Sequence, residues 1–512
     1  MVKEREHLES IVVNGEQMRS IEERIFADSM PVAALMEKAA ILCANRIQSL
    51  YPLSQISKIG VLVGPGHNGG DALVIARELH LQGYQVNLYC PFPKLKSLTA
   101  QHCQYAQNLG IPFYENLEQL YKCELFIDGL FGFGLTRPLD GSIAEDIDLL
   151  NQWGQPVISI DIPSGLHTDT GEVLGIAVKA THSLCLGLWK FAYFQDQALE
   201  YLGSVERIDF GVPLKDAWAV LGQPPPIQKM TRTLAQRFLP LPRPLLTHKY
   251  KEGHLLVICG SYRYAGGAIL TGLGARGSGV GMLSIAVPKS LKSMLVNHLP
   301  DALIIDCPET PSGAIAELPP LASEFDNYSV IACGPGLTSE AKSIVETVLE
   351  AKCPLVLDAD GLNNLAQIDP ISSLLKRPAP TILTPHIGEF KRLFPNIENP
   401  HQDRLKAVQE AAQQSGSIVL LKGARTAIAA PNGCVWLVPE STPALARGGS
   451  GDVLTGLIGG LIAQQMTSEQ AMERTVATAA WWHSQAGILA AQERTELGVD
   501  AFTLSQYLWK VF

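Results

Sequence analysis

Short, nearly continuous apolar runs recur along the chain, and longer segments with helical spacing separate several of them. Ile59-Gly60-Val61-Leu62-Val63 reads as a buried strand, Asp71 to Gln82 as a helix, and Tyr84 to Cys90 as a second strand, which together make a βαβ unit. Further apolar strands are predicted at 125–128, 157–161 and 183–186. Runs this apolar, lacking strict alternation, suit a mostly parallel sheet covered on both faces. The same grammar returns at Leu255 to Cys259, Met282 to Val287, Val330 to Cys333, Leu355 to Asp358, Ile382 to Thr384 and Ile418 to Leu421. Fold class is therefore expected to be α/β in two domains.

Between about residues 211 and 247 the pattern breaks, at Pro224-Pro225-Pro226 and again at Leu239-Pro240-Leu241-Pro242-Arg243-Pro244. The expected domains are residues 1–225 and 248–512, with a semi-rigid Pro-rich linker over 226–247. Val453 to Ala463 is apolar but short and Gly-rich, and reads as a buried helix rather than a membrane span.

With 512 residues, 46% apolar and 18% charged, the chain can build two such cores. Its net charge of −10 carries no long basic or acidic run, so no footprint for nucleic acid or an anionic membrane is expected. An anionic ligand would have to be held locally, by backbone N–H groups and a few placed cations. The charged N-terminus, Met1-Val2-Lys3-Glu4-Arg5-Glu6, lacks the apolar stretch of a signal peptide, and a cytoplasmic protein is expected. Ten cysteines are scattered without a Cys-x-x-Cys pair, which predicts reduced, structural thiols.

Chemistry concentrates at strand ends. Gly64-Pro65-Gly66-His67-Asn68-Gly69-Gly70-Asp71 joins a strand to a helix and contains a G-x-G-x-x-G match. The dehydrogenase type would want an acidic residue at the end of the next strand, and Tyr89-Cys90-Pro91 stands there instead. Asp128, before Gly129-Leu130-Phe131-Gly132-Phe133-Gly134, and Asp161, before Ile162-Pro163-Ser164-Gly165, both close apolar strands. One strand-end aspartate is commonly a helix cap; three Gly-rich acidic ends in one domain point to a ligand site.

In the second half, Arg447-Gly448-Gly449-Ser450-Gly451-Asp452 opens an apolar helix. The glycines let N–H groups converge where the helix dipole favours an anion, and Asp452 sits at the mouth of that anion hole as a candidate base. Leu421-Lys422-Gly423-Ala424-Arg425-Thr426 ends a strand with cations suited to nucleotide phosphates, and Thr384-Pro385-His386-Ile387-Gly388-Glu389 ends another. No G-x-x-x-x-G-K-[ST] loop is present, which excludes a P-loop kinase. Trp481, Trp482 and His483 lie on an Ala-rich helix and read as core or subunit packing.

Across roughly residues 10–215 the motifs G-P-G-x-N-G-G-D, D-x-x-x-G-x-G and D-x-P-S-G resemble the NAD(P)HX epimerase family. The resemblance implies a Rossmann-like three-layer α/β/α domain and a potassium ion held by Asn68, Asp128 and Ser164. It implies a pocket for hydrated NADH or NADPH lined by His67, Asn68, Gly69, Gly70 and Asp71, by Gly132, Phe133, Gly134, Leu135, Thr136, Arg137 and Pro138, and by Asp161, the candidate acid/base. His67 stands where Asn is usual and Ala72 where Gly is common. From His248-Lys249 to near the C-terminus, the motifs resemble the ribokinase-like superfamily and, within it, the ADP/ATP-dependent NAD(P)HX dehydratases. This implies that Ala268, Gly336 and His386 contact the hydrated nicotinamide. Lys422, Gly423, Ala424, Arg425, Thr426 and Gly451 would contact the adenine nucleotide, with Mg²⁺ beside it, and Asp452 would act as base. Arg447 stands where a small residue is usual and is expected to face solvent; Ile387 stands where Pro is common.

The two resemblances together imply interconversion of the hydrate's epimers followed by ADP-dependent dehydration, on NADHX, NADPHX and ADP as small-molecule partners, in a homo-oligomer. A small-molecule kinase with a stable phosphorylated product stays open for the second domain, and a non-catalytic nucleotide- or protein-binding module for the first.

Overall fold

Seven parallel strands form the sheet of the first unit, in the spatial order Phe113–Tyr114, Gln85–Tyr89, Lys58–Val63, Leu125–Gly129, Val157–Ile160, His182–Leu186, Ser204–Ile208. In the computed structural model, which describes residues 2–465 and 471–512, the chain divides into two compact units, Met1–Pro226 and Ile227–Phe512. Ile59, Val61 and Val63 pack on one face of the sheet against the helices Val32–Leu50 and His67–Leu81. Leu62 and Phe126 pack on the other, against Gly141–Trp153, so the unit is the three-layer sandwich that two-sided apolar strands require. A small parallel ladder, Val12–Val13 with Trp189–Lys190, lies apart from the main sheet.

The second unit carries a ten-stranded sheet. Its order runs Ile227–Lys229, Val435–Leu437, Ala427–Ala429, Ile418–Leu421, Thr381–Leu383, Leu355–Leu357, Val330–Cys333, His254–Ile258, Met282–Pro288, Leu303–Cys307. Pairing is parallel except where Ala427–Ala429 meets its two neighbours. Against the sheet lies the helix Ser450–Gln465, buried almost all round, as the apolar run at 453–463 predicts. It crosses Ala265–Gly277 at very close range: a β-carbon on Gly456 would sit 1.9 Å from the Thr271 carbonyl oxygen, and one on Gly274 2.1 Å from that of Val453. Gly456 and Gly274 let the two backbones touch.

The stretch expected to be a linker over 226–247 is in part regular structure. Ile227–Lys229 pairs with the edge strand Val435–Leu437, the Thr231 hydroxyl caps the helix Arg232–Phe238, and Met230, Ala235, Phe238 and Leu239 join the second unit's core. The prolines lie on either side of this segment, leaving its own N–H groups free to pair and its capping threonine free to start a helix. All ten cysteines are free thiols. No helix among the described residues is long and apolar enough to cross a membrane.

Candidate active sites

In an open parallel sheet, ligands gather at the carboxyl ends of the strands, where the strand order reverses. In the first unit that reversal falls between Lys58–Val63 and Leu125–Gly129, and the segments leaving these strands carry His67 to Asp71, in the first turns of the next helix, and Leu130 to Arg137. They enclose a cavity of about 660 Å³. His67, Asn68, Asp71, Gly132 to Arg137 and Asp161 line it. Gly69 and Gly70 lie behind the wall, and Pro138 is exposed beyond it. A β-carbon on Gly69 would sit 1.9 Å from the Gly64 carbonyl oxygen, so only glycine lets the first turn of the helix pack against the end of the strand before it. The methyl of Ala72 faces Gly129, which has no side chain to oppose it; the two positions together accommodate the departure from glycine at 72.

Asp161 adopts a left-handed backbone conformation, φ 70°. This strain is offset by its N–H donating to Leu184 O at 2.8 Å and by the Tyr193 hydroxyl donating to its carbonyl. Its carboxylate is almost wholly buried: Oδ1 lies 2.6 Å from Lys190 Nζ and Oδ2 accepts from the Phe133 N–H at 3.0 Å. Burial works against the charge on Lys190, yet the adjoining Asp161 leaves its pKa raised. Glu22, from the helix Gly15–Ala27, also lines the cavity; burial pushes its carboxyl up to about 7, with Lys190 pulling the other way. Burial, then Asp161 and Glu22, hold Asp71 well above the carboxylate range. His67 is held below its ordinary value by desolvation and by Lys96, which favours the neutral ring.

Beneath this pocket Asp128 accepts from the Leu130 N–H at 3.2 Å, Ser159 Oγ at 2.8 Å, the Ser164 N–H at 2.9 Å and Ser164 Oγ at 2.6 Å. Asn68 Nδ2 is buried without a hydrogen-bond partner, and a β-carbon on Gly132 would lie 3.3 Å from Asn68 Oδ1 and 2.9 Å from Asp161 Oδ2. Asp128, Ser159 and Ser164 thus form one buried hydrogen-bonded cluster and Asn68 lines the cavity, and oxygen donors of these kinds are the type a hard cation takes.

In the second unit the strand order reverses between Val330–Cys333 and His254–Ile258. The Gly260 N–H donates to Pro335 O at 2.8 Å across this gap, and Gly336 turns with φ 68° against Tyr264. Asp452, in the first turn of Ser450–Gln465, faces it: a β-carbon on Gly267 would come within 3.3 Å of Asp452 Oδ2. Ala268 is fully buried with its methyl toward Gly260, while His386 is exposed and caps the helix Ile387–Leu393 through Nδ1. Lys422 to Thr426 form the turn between Ile418–Leu421 and Ala427–Ala429.

Lys422 is the hub. Its Nζ lies 2.7 Å from Asp358 Oδ1 and 3.9 Å from Glu389 Oε2, and Thr455 Oγ1 donates to Asp358 Oδ2 at 2.7 Å. A β-carbon on Gly451 would lie 3.5 Å from Lys422 Nζ, so the glycine brings the turn up against the ammonium. Burial, followed by the charge of Asp358, pushes Asp452 up to about 7, with Lys422 opposing. His483 Nε2 lies 2.9 Å from the Ser450 carbonyl, and burial pulls its pKa down to about 4, so the neutral ring donates this bond. Packing was the reading for His483; the structure adds that its ring fastens the turn that carries Asp452. Arg447 is exposed and donates to Leu497 O at 2.8 Å.

A family model described as NAD(P)H-hydrate dehydratase matches residues 255–510, and one described as YjeF-related protein N-terminus matches residues 32–192. The bifunctional NAD(P)H-hydrate repair enzyme Nnr of Synechocystis sp. is 57% identical over 97% of this chain and 94% of its own. The chain belongs to this family. The enzyme of the same name from Thermosynechococcus vestitus is 51% identical, over 95% of this chain and 94% of its own. A solved ADP/ATP-dependent NAD(P)H-hydrate dehydratase from Bacillus subtilis, co-crystallised with ATP and Mg²⁺, is 33% identical over 53% of this chain and 92% of its own, with a TM-score of 0.44.

Residues that motif reading passed over are Glu22 and Lys190 in the first site and Thr455 in the second, where Glu389 stood in its motif without a role. Lys190 had a signal, as the single charge in the run Leu186-Gly187-Leu188-Trp189-Lys190-Phe191-Ala192-Tyr193-Phe194. Glu22 had another: Arg19, Glu22, Glu23 and Phe26 share one helical face, adjoining the buried Met18, Ile21 and Ile25. Asp358 was visible as a strand end, but its pairing with Lys422 joins residues 64 positions apart.

Proposed function

We propose that this bifunctional enzyme restores hydrated NADH and NADPH, the first unit interconverting the R and S epimers and the second dehydrating the S form while ADP becomes AMP and phosphate. Family membership over nearly the whole chain supports the pairing of activities. The observation that carries the second is Asp452, a carboxyl poised near neutral pH at a helix N-terminus beside Lys422 and Gly451. Asp452 takes the proton from the ring hydroxyl as its oxygen attacks the β-phosphoryl group of ADP. Backbone N–H groups of the Gly448–Gly451 turn stabilise the transferring phosphoryl group. Phosphate then leaves with the hydroxyl oxygen and the carbon–oxygen bonding pair, the neighbouring ring carbon gives up a proton to water or to the departing phosphate, and that C–H pair forms the ring double bond. Lys422 to Thr426 border the nucleotide, and Gly336, Ala268 and His386 border the nicotinamide. Mg²⁺ would arrive with the nucleotide, neutralising phosphate charge and keeping phosphate and water ligands, because both oxygens of Asp358 already hold protein donors.

In the first unit Asp161 is the acid/base group and His67 to Asp71 and Gly132 to Pro138 border the substrate. Asn68, Asp128 and Ser164 would hold potassium, whose positive charge steadies the two loops and the substrate's phosphates.

Incubating the full chain with hydrated NADH, ADP and Mg²⁺ tests the reading: absorbance at the reduced-nicotinamide band rises, and chromatography shows the two epimers consumed together. A stable phosphorylated product, or no rise, overturns it. Running ADP and ATP side by side fixes the donor.

A further inference from the structure

Besides Asp71, the first site places Glu22 over the cavity that Asp161 serves, and Glu22 comes from a helix that precedes the matched residues 32–192. Asn14 caps this helix, Gly15–Ala27, with a capping box, and the Gly15 N–H donates to Asp169 Oδ1 at 2.8 Å. Next to Asp169, Thr168 Oγ1 donates to Phe133 O at 2.9 Å, on the loop whose Phe133 N–H holds Asp161. The strand just ahead of the helix pairs Val13 with Lys190, the cation of the Asp161 ion pair. Helix, loop and ion pair are therefore one framework, and it presents Arg19, Glu22 and Phe26 to the cavity.

Asp161 and Glu22 are not equivalent. Both oxygens of Asp161 already carry a partner, Lys190 on one and the Phe133 N–H on the other. Glu22 is half-buried, with Lys190, Asp161, Arg19 and Asp71 as the charged or titratable groups that act on it or on which it acts. The hydrated ring carbon carries a hydroxyl and is bonded to the ring nitrogen, so the two epimers are the two faces of a hemiaminal. Exchanging the faces by ring opening needs two proton transfers at once. The hydroxyl proton leaves while its oxygen forms a carbonyl. The carbon–nitrogen bond breaks, its electron pair staying on nitrogen, which gains a proton. Rotation about the adjoining carbon–carbon bond and the reverse steps close the ring on the other face, returning both protons, with no net redox change. One carboxyl serves one of these transfers; two carboxyls set apart by their surroundings serve both.

We infer that Glu22 is the second catalytic group of the epimerase site, donating the proton to the ring nitrogen on opening and taking it back on closure, while Asp161 handles the hydroxyl proton. The inference rests on the epimerase reading of this unit.

The test uses the full chain with hydrated NADH of one epimer, no nucleotide, and chromatographic separation against the uncatalysed rate. Glu22→Gln is expected to lower kcat about a hundredfold or more, with KM within threefold and the melting temperature unchanged. Glu22→Asp, which keeps the acid one methylene shorter, is expected to recover at least tenfold over Glu22→Gln. A Glu22→Gln enzyme within threefold of the parent in kcat, or an Asp variant no better than the Gln variant, overturns the assignment of Glu22 while the parent's activity leaves the epimerase reading standing. A parent chain that does not outrun the uncatalysed rate overturns that reading, and Glu22 with it.

Discussion

The two sites use the same ingredients, a lysine paired with a strand-end carboxylate and a further carboxyl from a helix, and distribute them in opposite ways. In the first, Lys190 binds the proposed acid/base group itself, 2.6 Å from Asp161, and the second carboxyl, Glu22, is the one whose pKa rises to about 7. In the second, Lys422 binds a supporting carboxylate, Asp358, and the proposed base beside that pair is the one raised to about 7. The comparison teaches that in each site a carboxyl raised to about 7 stands beside the lysine's ion pair. Burial raises Glu22 and Asp452, and in each site the lysine of the neighbouring ion pair opposes that rise.

The sharpest way to break the comparison is Asp452→Asn, which removes the proton acceptor and keeps the shape. Dehydration, followed at the reduced-nicotinamide band, should fall roughly a hundred- to ten-thousand-fold, while epimerisation stays at the parent rate. Retained dehydration would show that another group is the base. Next comes Lys190→Met, which leaves Asp161 buried without its cation and should destabilise the first unit by about 3–5 kcal/mol. Calorimetry should show a melting transition lost or lowered for that unit, with ADP-dependent dehydration of the S epimer preserved.

Smaller is Gly456→Ala. Its methyl would meet the Thr271 carbonyl oxygen at 1.9 Å, so the helix carrying Asp452 must shift, at about 1–3 kcal/mol. Melting temperature and dehydration rate should drop together. The pH profile of dehydration carries a further sign. A base raised to about 7 is protonated and idle below that pH, so the rate should fall about tenfold per unit as pH drops below 7. A flat profile from pH 5 to 8 would remove Asp452 from the titrating role. The smallest effect belongs to Gly266→Ala, where nothing lies within 4 Å of the new methyl: helix propensity alone should stabilise by under about 1 kcal/mol in a denaturant melt.

Strands with strongly apolar cores were legible: Lys58–Val63, Val330–Cys333 and Ile418–Leu421 stand within one residue of where their sequences predict them. The edge elements were not. Ser204–Ile208 reads as charged and half-buried, and the hairpin Ala427–Ala429 with Val435–Leu437 is made of three-residue strands, too short for any periodicity. Ile227–Lys229 was hidden by the prolines around it, since a strand that short declares itself only when its partner is in place. The same division runs through the sites. Glycine-rich turns announced Asn68, Asp128, Asp161 and Asp452, because a local backbone requirement leaves a local mark. Glu22, Lys190 and Glu389 left weaker marks, because their importance arises from contacts.

By itself the sequence determined that two α/β units exist, that each carries strand-end carboxylates beside glycine turns, and that the helix after Asp452 is buried; all follow from composition and spacing within a few turns of chain. Only the tertiary structure decided which lysine meets which carboxylate. Asp161 and Lys190 are 29 positions apart, Lys422 and Asp358 are 64 apart, and the choice depends on strand order and burial, which are properties of the assembled sheet.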